Sequence, residues 1–210
     1  MARKTKEEAE KTYRDLLHSA ATLFASQGIY STSLNDIAKA AGVTRGALYW
    51  HFKGKDDVIR ALWDTYLYPD IELMSARLRD TSDIGTLTGI RKFSIDLVNI
   101  CLENEMGGKT TRLLFHNLES TDTESELQHI LNEERYSFQQ DMIQAFKALA
   151  DAKLLKDNDK YEEAGLGYYC MFFGMLHQYH EPHRPIDIKA YGISMLNNYL
   201  DGVLINQSDT

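Results

Sequence analysis

Residues 32–55 read TSLNDIAKAAGVTRGALYWHFKGK, and this stretch decides the fold. Leu34, Ile37, Ala38 and Ala41 recur at helical spacing and share one face of a first short helix. Ala38 is small where a second helix must cross closely. Gly42 suits the left-handed backbone that ends a helix and turns the chain. Val43 plugs the corner, and Thr44 offers a cap to a second helix whose inner face is Ala47, Leu48 and Phe52. The outer face is Thr44, Arg45, Gly46 and Tyr49, flanked by Trp50 and Lys53. Two helices joined this way form a helix-turn-helix, and the outer face suits a DNA major groove. The bland alternative is an ordinary helical corner with Tyr49, Trp50 and Phe52 as core aromatics.

Charge agrees with the nucleic-acid reading once it is divided. The 210-residue chain carries a formal net charge of −8. Residues 1–60 nevertheless hold 10 Lys/Arg against 7 Asp/Glu, while the remainder holds 13 against 24. A basic amino-terminal module on an acidic body follows, and the body repels DNA everywhere except where the module docks.

The chain is long enough for one large or two small domains. It has 3 Pro, all after residue 68, and no alternating strand-like runs. The expectation is an all-α protein of about nine helices, with a DNA-binding domain over 1–55 and a larger helical domain over 56–210. A first helix is expected over Lys6–Gln27, stopped by Gly28, with Leu16, Leu17, Ala20, Leu23 and Phe24 inward. Ser33 with Asp36 has the form of a capping box for the next. Thr32 and Ser33 also set hydroxyls and a helix start where a phosphate can sit. Lys55 opens a long helix through Leu78, with Pro69 as a kink or irregularity at its midpoint. Further helices are expected over 84–104, from the Gly107-Gly108 break to Leu118, and over 124–152, 159–179 and 187–204. The amino terminus has no apolar leader, and the longest apolar run, Tyr168 to Leu176, is too short to span a bilayer; a cytoplasmic protein is expected. Cys101 and Cys170 sit within apolar helical patterns and read as buried, unpaired thiols.

The words GVTRGALYWHFKGK, with MARKTKEEA at the start, GIYSTSL at 28–34 and the helix after Lys55, resemble the TetR family of bacterial repressors. The resemblance covers about the first third of the chain. It is strongest to the multidrug-efflux branch typified by AcrR, TtgR and MtrR. It implies that Tyr49, Trp50 and His51 contact phosphates or bases and that Lys55 binds a phosphate. Arg45 is the long hydrogen-bonding side chain at the start of the recognition helix, and a guanidinium bridges two acceptors on guanine. Thr44 and Gly46 allow close approach, and Arg3, Lys4 and Lys6 form a basic arm. So short a helix needs a homodimer on a palindromic site.

The segment around Tyr168–Leu176 is apolar on too many sides for one neighbour. Gly167 and Gly174 leave a smooth strip on it, and Tyr191, Met195 and Tyr199 line one side of the last helix. An intersubunit four-helix bundle is expected, in keeping with a family that dimerises through its last two helices. The resemblance further implies an effector pocket for lipophilic or cationic small molecules, lined by Phe93, Phe115, Phe138, Met142, Tyr169 and Phe172. Glu134 lies on an apolar stripe between Leu131 and Phe138, where it either faces a cationic ligand, pairs with an Arg or meets water. His177, His180 and His183 lack a supporting Cys, so no metal or cofactor is expected. No phosphate loop, nucleophile elbow or metalloprotease signature occurs, so no enzyme is expected. The resulting reading is a repressor of an efflux-pump operon, released from its operator by effector. A TetR-like regulator of lipid metabolism or signalling, or a helical small-molecule carrier that no longer reads DNA, are the alternatives.

Overall fold

The computed structural model describes residues 6–117, 126–181 and 186–205, with backbone alone for 114–117 and 126–127. Among these the chain is all-α as expected, with eleven α-helices and one short 3₁₀ turn; an isolated bridge pairs Leu155 with Leu204. The excess over nine has two sources. The helix expected over 55–78 divides into α4 (Lys55–Tyr66) and α5 (Tyr68–Arg79), with Leu67 between them at φ −122° and ψ −46°. Pro69 explains the break: its ring bars the helical approach of the carbonyl four residues back, yet it sits comfortably in the first turn of a new helix. A short α6 (Thr81–Ile84), capped by the Asp80 carboxylate, also precedes α7 (Leu87–Glu103).

The chain forms two compact units: Met1–Pro69 with Asn104–Leu127, and Asp70–Glu103 with Gln128–Thr210. The first contains α1 (Lys6–Gln27), α2 (Leu34–Ala40), α3 (Arg45–His51), α4 and α8 (Glu105–Asn117). It therefore runs past residue 55 and includes α8, which packs on α1 and α4. Leu16, Leu17 and Phe24 of α1, Leu48 of α3 and Leu62 of α4 are fully buried there, each contributing about 1.5–3 kcal/mol by leaving water. Gly107 and Gly108 do not break a helix; the break falls at Asn104. Gly107 lies in the first turn of α8, where a Cβ would collide with the Asn104 amide and the Tyr66 carbonyl.

The second unit contains α5, α6, α7, α9 (Glu126–Asp151), α10 (Tyr161–Tyr179) and α11 (Ile188–Val203). Helix α11 packs on α7 and α10. At its centre Ser94 of α7 and Tyr168 of α10, both fully buried, share a 2.6 Å hydrogen bond. Burial pushes the Tyr168 phenol above its ordinary range, and the Ser94 bond opposes this. A Cβ at Gly165 would lie 2.9 Å from the Ile143 Cα, which is why α10 approaches α9 so closely. The cysteine expectation fails at one position: Cys170 is exposed on α10. Cys101 is partly covered, and loss of water pushes its thiol up to about 12.

Candidate nucleic-acid interface

The helix-turn-helix forms as its sequence dictates. The Ser33 hydroxyl accepts the Asp36 N–H at 3.1 Å while the Asp36 carboxylate accepts the Ser33 N–H at 2.9 Å, completing the capping box of α2. The Ser33 hydroxyl and amide hold the Asp36 carboxyl below its ordinary value. Gly42 adopts φ +67°, the left-handed turn that favours glycine. The Thr44 hydroxyl caps α3 by accepting the Ala47 N–H at 3.2 Å. Leu48 and Phe52 are buried beneath.

The remaining face of α3 is open. Thr44, Arg45, Gly46, Tyr49 and Trp50 are all exposed, and Trp50 retains 75% of its surface. Tyr49 and Trp50 are therefore not core aromatics, while Phe52 is. The Arg45 guanidinium lies over the Tyr49 ring, 5.2 Å from its centroid, and donates to the Tyr49 hydroxyl at 3.4 Å. His51 is half-covered; its ring stands edge-on to Trp50 at 4.6 Å and 5.6 Å from that of Tyr13, which stacks on Phe52. An open groove of about 450 Å³ runs beside these rings, with Lys6 and Arg14 of α1 among its lining residues. Lys6 belongs to the expected basic arm, whereas Tyr13 and Arg14, which complete the α1 wall, were not singled out; their place seven and eight residues after Lys6 on one helix was the available signal.

Of the expected phosphate contacts, Thr32 is withdrawn and Lys55 takes a second task within the fold. The Thr32 side chain is fully buried and its hydroxyl donates to the Gly28 carbonyl at 2.8 Å, so it presents nothing to DNA. It closes the turn after α1 instead. Lys55 donates to the carbonyls of Ile29 at 2.9 Å and Tyr30 at 3.3 Å, pinning that same turn to the start of α4. Ser33 remains exposed beside it. Arg3 and Lys4 lie outside the described residues.

The expected effector residues are only partly brought together. Phe138 and Phe172 are buried, Tyr169 is half-buried, and all three gather about Phe173: centroids lie 6.2, 5.5 and 4.4 Å away. Met142 is fully buried on the same helix as Phe138. Phe93 is a core ring under the Arg77 guanidinium, 5.6 Å away. The side chain of Phe115 lies outside the described residues. Glu134 is half-covered; loss of water and then the Glu72 charge raise its carboxyl above 4.5.

Two of the expected dimer residues are occupied within the subunit. The Tyr199 hydroxyl donates to the Ala164 carbonyl at 2.7 Å, and a Cβ at Gly167 would strike that hydroxyl. Gly167 therefore serves the packing of α10 on α11. Gly174 and Tyr191 remain open, Tyr191 with 59% of its surface, and Met195 is half-exposed. No group of three His, Cys, Asp or Glu among the described residues is placed to hold a metal. Nor is any described helix long and apolar enough to cross a membrane.

Comparison with known proteins agrees with this geometry. Residues 16–62 match the model of the bacterial regulatory proteins of the tetR family. The chain is similar to the HTH-type transcriptional regulator AcrR of Shigella flexneri, with 59% identity over 64 residues, 30% of each chain. It is also similar to the HTH-type transcriptional regulator TtgR of Pseudomonas putida, with 33% identity over 127 residues, 60% of each. These alignments thus span 30–60% of the relatives' lengths. In three dimensions it resembles NalD, the secondary repressor of the MexAB-OprM multidrug efflux pump in Pseudomonas aeruginosa. There the TM-score is 0.74 and identity 25%, with 96% of this chain and 100% of that one covered. Residues 16–62 are thus an amino-terminal domain of the tetR family of bacterial regulatory proteins.

Proposed function

We propose that this protein is a DNA-binding transcriptional repressor that controls a multidrug efflux operon and leaves its palindromic operator when a small lipophilic or cationic molecule binds. The observation that carries this reading is the open face of α3: a capped helix that keeps Arg45, Tyr49 and Trp50 in solvent. A carrier that had lost DNA reading has no need for an exposed tryptophan beside an exposed arginine. Similarity to AcrR over 64 residues, and to the efflux repressor NalD over nearly the whole chain, supports the choice of process.

In this reading Arg45 reads bases, with Thr44 and Gly46 permitting close approach. Ser33, Tyr49, Trp50 and His51 meet the phosphate backbone, joined by the basic arm at Arg3 and Lys4. Gly174, Tyr191 and Met195 meet a second copy, as helices exposing apolar side chains do in C2 dimers. The effector binds in the second unit near Phe138, Tyr169, Phe172 and Glu134, and the protein works in the cytoplasm. The effector must bind the DNA-free arrangement more tightly than the DNA-bound one, since only differential affinity shifts an equilibrium. A gel-shift titration of the duplex upstream of the chain's own gene, repeated with lipophilic cations and neutral drugs, tests the reading. A retarded complex dissolved by one such compound is expected; no complex at any protein concentration overturns it.

A further inference from the structure

The most specific polar arrangement outside the recognition face lies where the first unit is interrupted. The chain leaves that unit after Pro69 and re-enters it at Asn104. Asn104 uses both ends of its side-chain amide there. Its Oδ1 accepts the Gly107 N–H at 2.7 Å, capping α8, and its Nδ2 donates to the Tyr66 carbonyl at 2.8 Å, at the last residue of α4. Helix ends leave such groups without intrahelical partners. One side chain thus satisfies the start of one helix and the end of another. Gly107 fits this arrangement, because a Cβ there would displace the Asn104 amide and strike the Tyr66 carbonyl.

At its other end α4 begins with Lys55, whose ammonium holds the Ile29 and Tyr30 carbonyls in the turn that leads to α2. Named contacts therefore run from the cap of α8, through a helix of 12 residues, to the loop beside the helix-turn-helix. Helix α8 also packs on α4 and α1, and the Asn104 bonds fix the register of that packing at the end of α4 next to the break at Leu67.

We infer that Asn104 is a positioning residue for DNA reading: by holding the end of α4 to the start of α8, it makes a displacement of either helix a displacement of both. The inference rests on the DNA-binding reading above. Coupling is reciprocal, so it can be probed from the DNA side without an effector.

The test is hydrogen exchange on the full chain with and without the duplex upstream of its gene. It compares the natural protein with Asn104→Asp, which keeps the acceptor for Gly107 but loses the donor to Tyr66. DNA is expected to slow exchange in α2 and α3 of both proteins. In α8 it should slow exchange by about threefold or more in the natural protein and leave the variant unchanged. Gly107→Ala, which disturbs the same bond with Asn104 intact, should behave like Asn104→Asp. Equal slowing of α8 in the natural protein and a folded variant would overturn the inference, as would a natural α8 indifferent to DNA. Absence of slowing even in α2 and α3 would instead overturn the DNA-binding reading, and the inference with it.

Discussion

The Arg45 guanidinium rests on the Tyr49 ring, 5.2 Å from its centroid and one helical turn away, with both side chains in solvent. The recognition helix therefore presents its principal hydrogen-bonding group already directed along its outer face. Because neither side chain is buried, Arg45→Ala should leave the melting temperature within about 1 °C, in keeping with exposed substitutions. It should reduce discrimination between operator and scrambled duplex by about 1–3 kcal/mol per half-site, the worth of a bidentate base contact. Anisotropy titrations on both duplexes measure this; unaltered discrimination would exclude Arg45 as the reader.

Lys55 is expected to act on the turn more than on phosphate. Lys55→Met removes two charge-assisted bonds to the Ile29 and Tyr30 carbonyls. Solvent reaches the group, so a loss of about 1 kcal/mol in unfolding stability follows. DNA binding should weaken on every sequence alike, while the slope of log affinity against log salt changes by less than about one. Denaturant melts and a salt series give the two quantities; a slope reduced by one at unchanged stability would restore the phosphate role.

For the proposed dimer, residues inside the subunit and residues facing a partner should separate. Gly167→Ala places a methyl group on the Tyr199 hydroxyl and should lower the melting temperature without changing the oligomer. The pair Gly174→Arg with Tyr191→Glu alters only open positions and should give a folded monomer by sedimentation velocity. A dimer that survives the pair would place the interface elsewhere.

The half-covered carboxyl of Glu134 makes stability depend on pH. Loss of water and the nearby Glu72 raise it above 4.5, so in the window above that value the folded state holds more protons than the unfolded one. Stability attached to this group is present at lower pH and is lost as pH rises through its raised value. Glu134→Gln should therefore melt higher than the natural protein at pH 7 and converge with it near pH 4. Melting curves across that range decide; a variant less stable at pH 7 would mean the carboxylate has a favourable partner.

What could be read from the sequence follows how local each determinant is. Ser33 with Asp36, Gly42 and Thr44 fix caps and a turn through neighbours three or four residues away, so the helix-turn-helix was legible in full. Arg45, Tyr49 and Trp50 were legible for the same reason, since a short helix has one inner face and it was already filled. The bonds that Thr32 and Lys55 make within the fold were not legible because their partners, the carbonyls of Gly28, Ile29 and Tyr30, belong to the turn after α1, and hydroxyl or ammonium chemistry suits a phosphate equally well. Gly167 reads as an open strip until Tyr199, 32 positions later, is found against it. The Asn104 clamp on Tyr66 was invisible, because a Gly-Gly pair outweighed the asparagine before it as a break signal.

The central claim is that α3 reads a specific DNA sequence. Its most direct test is an anisotropy titration of the purified chain at physiological salt against two labelled duplexes, the region upstream of its own gene and a shuffled copy. Binding to the first is expected to be at least about 10³-fold tighter than to the second, the discrimination usual for specific regulators, and to lose that preference in Arg45→Ala. Equal affinity for the two duplexes would contradict it.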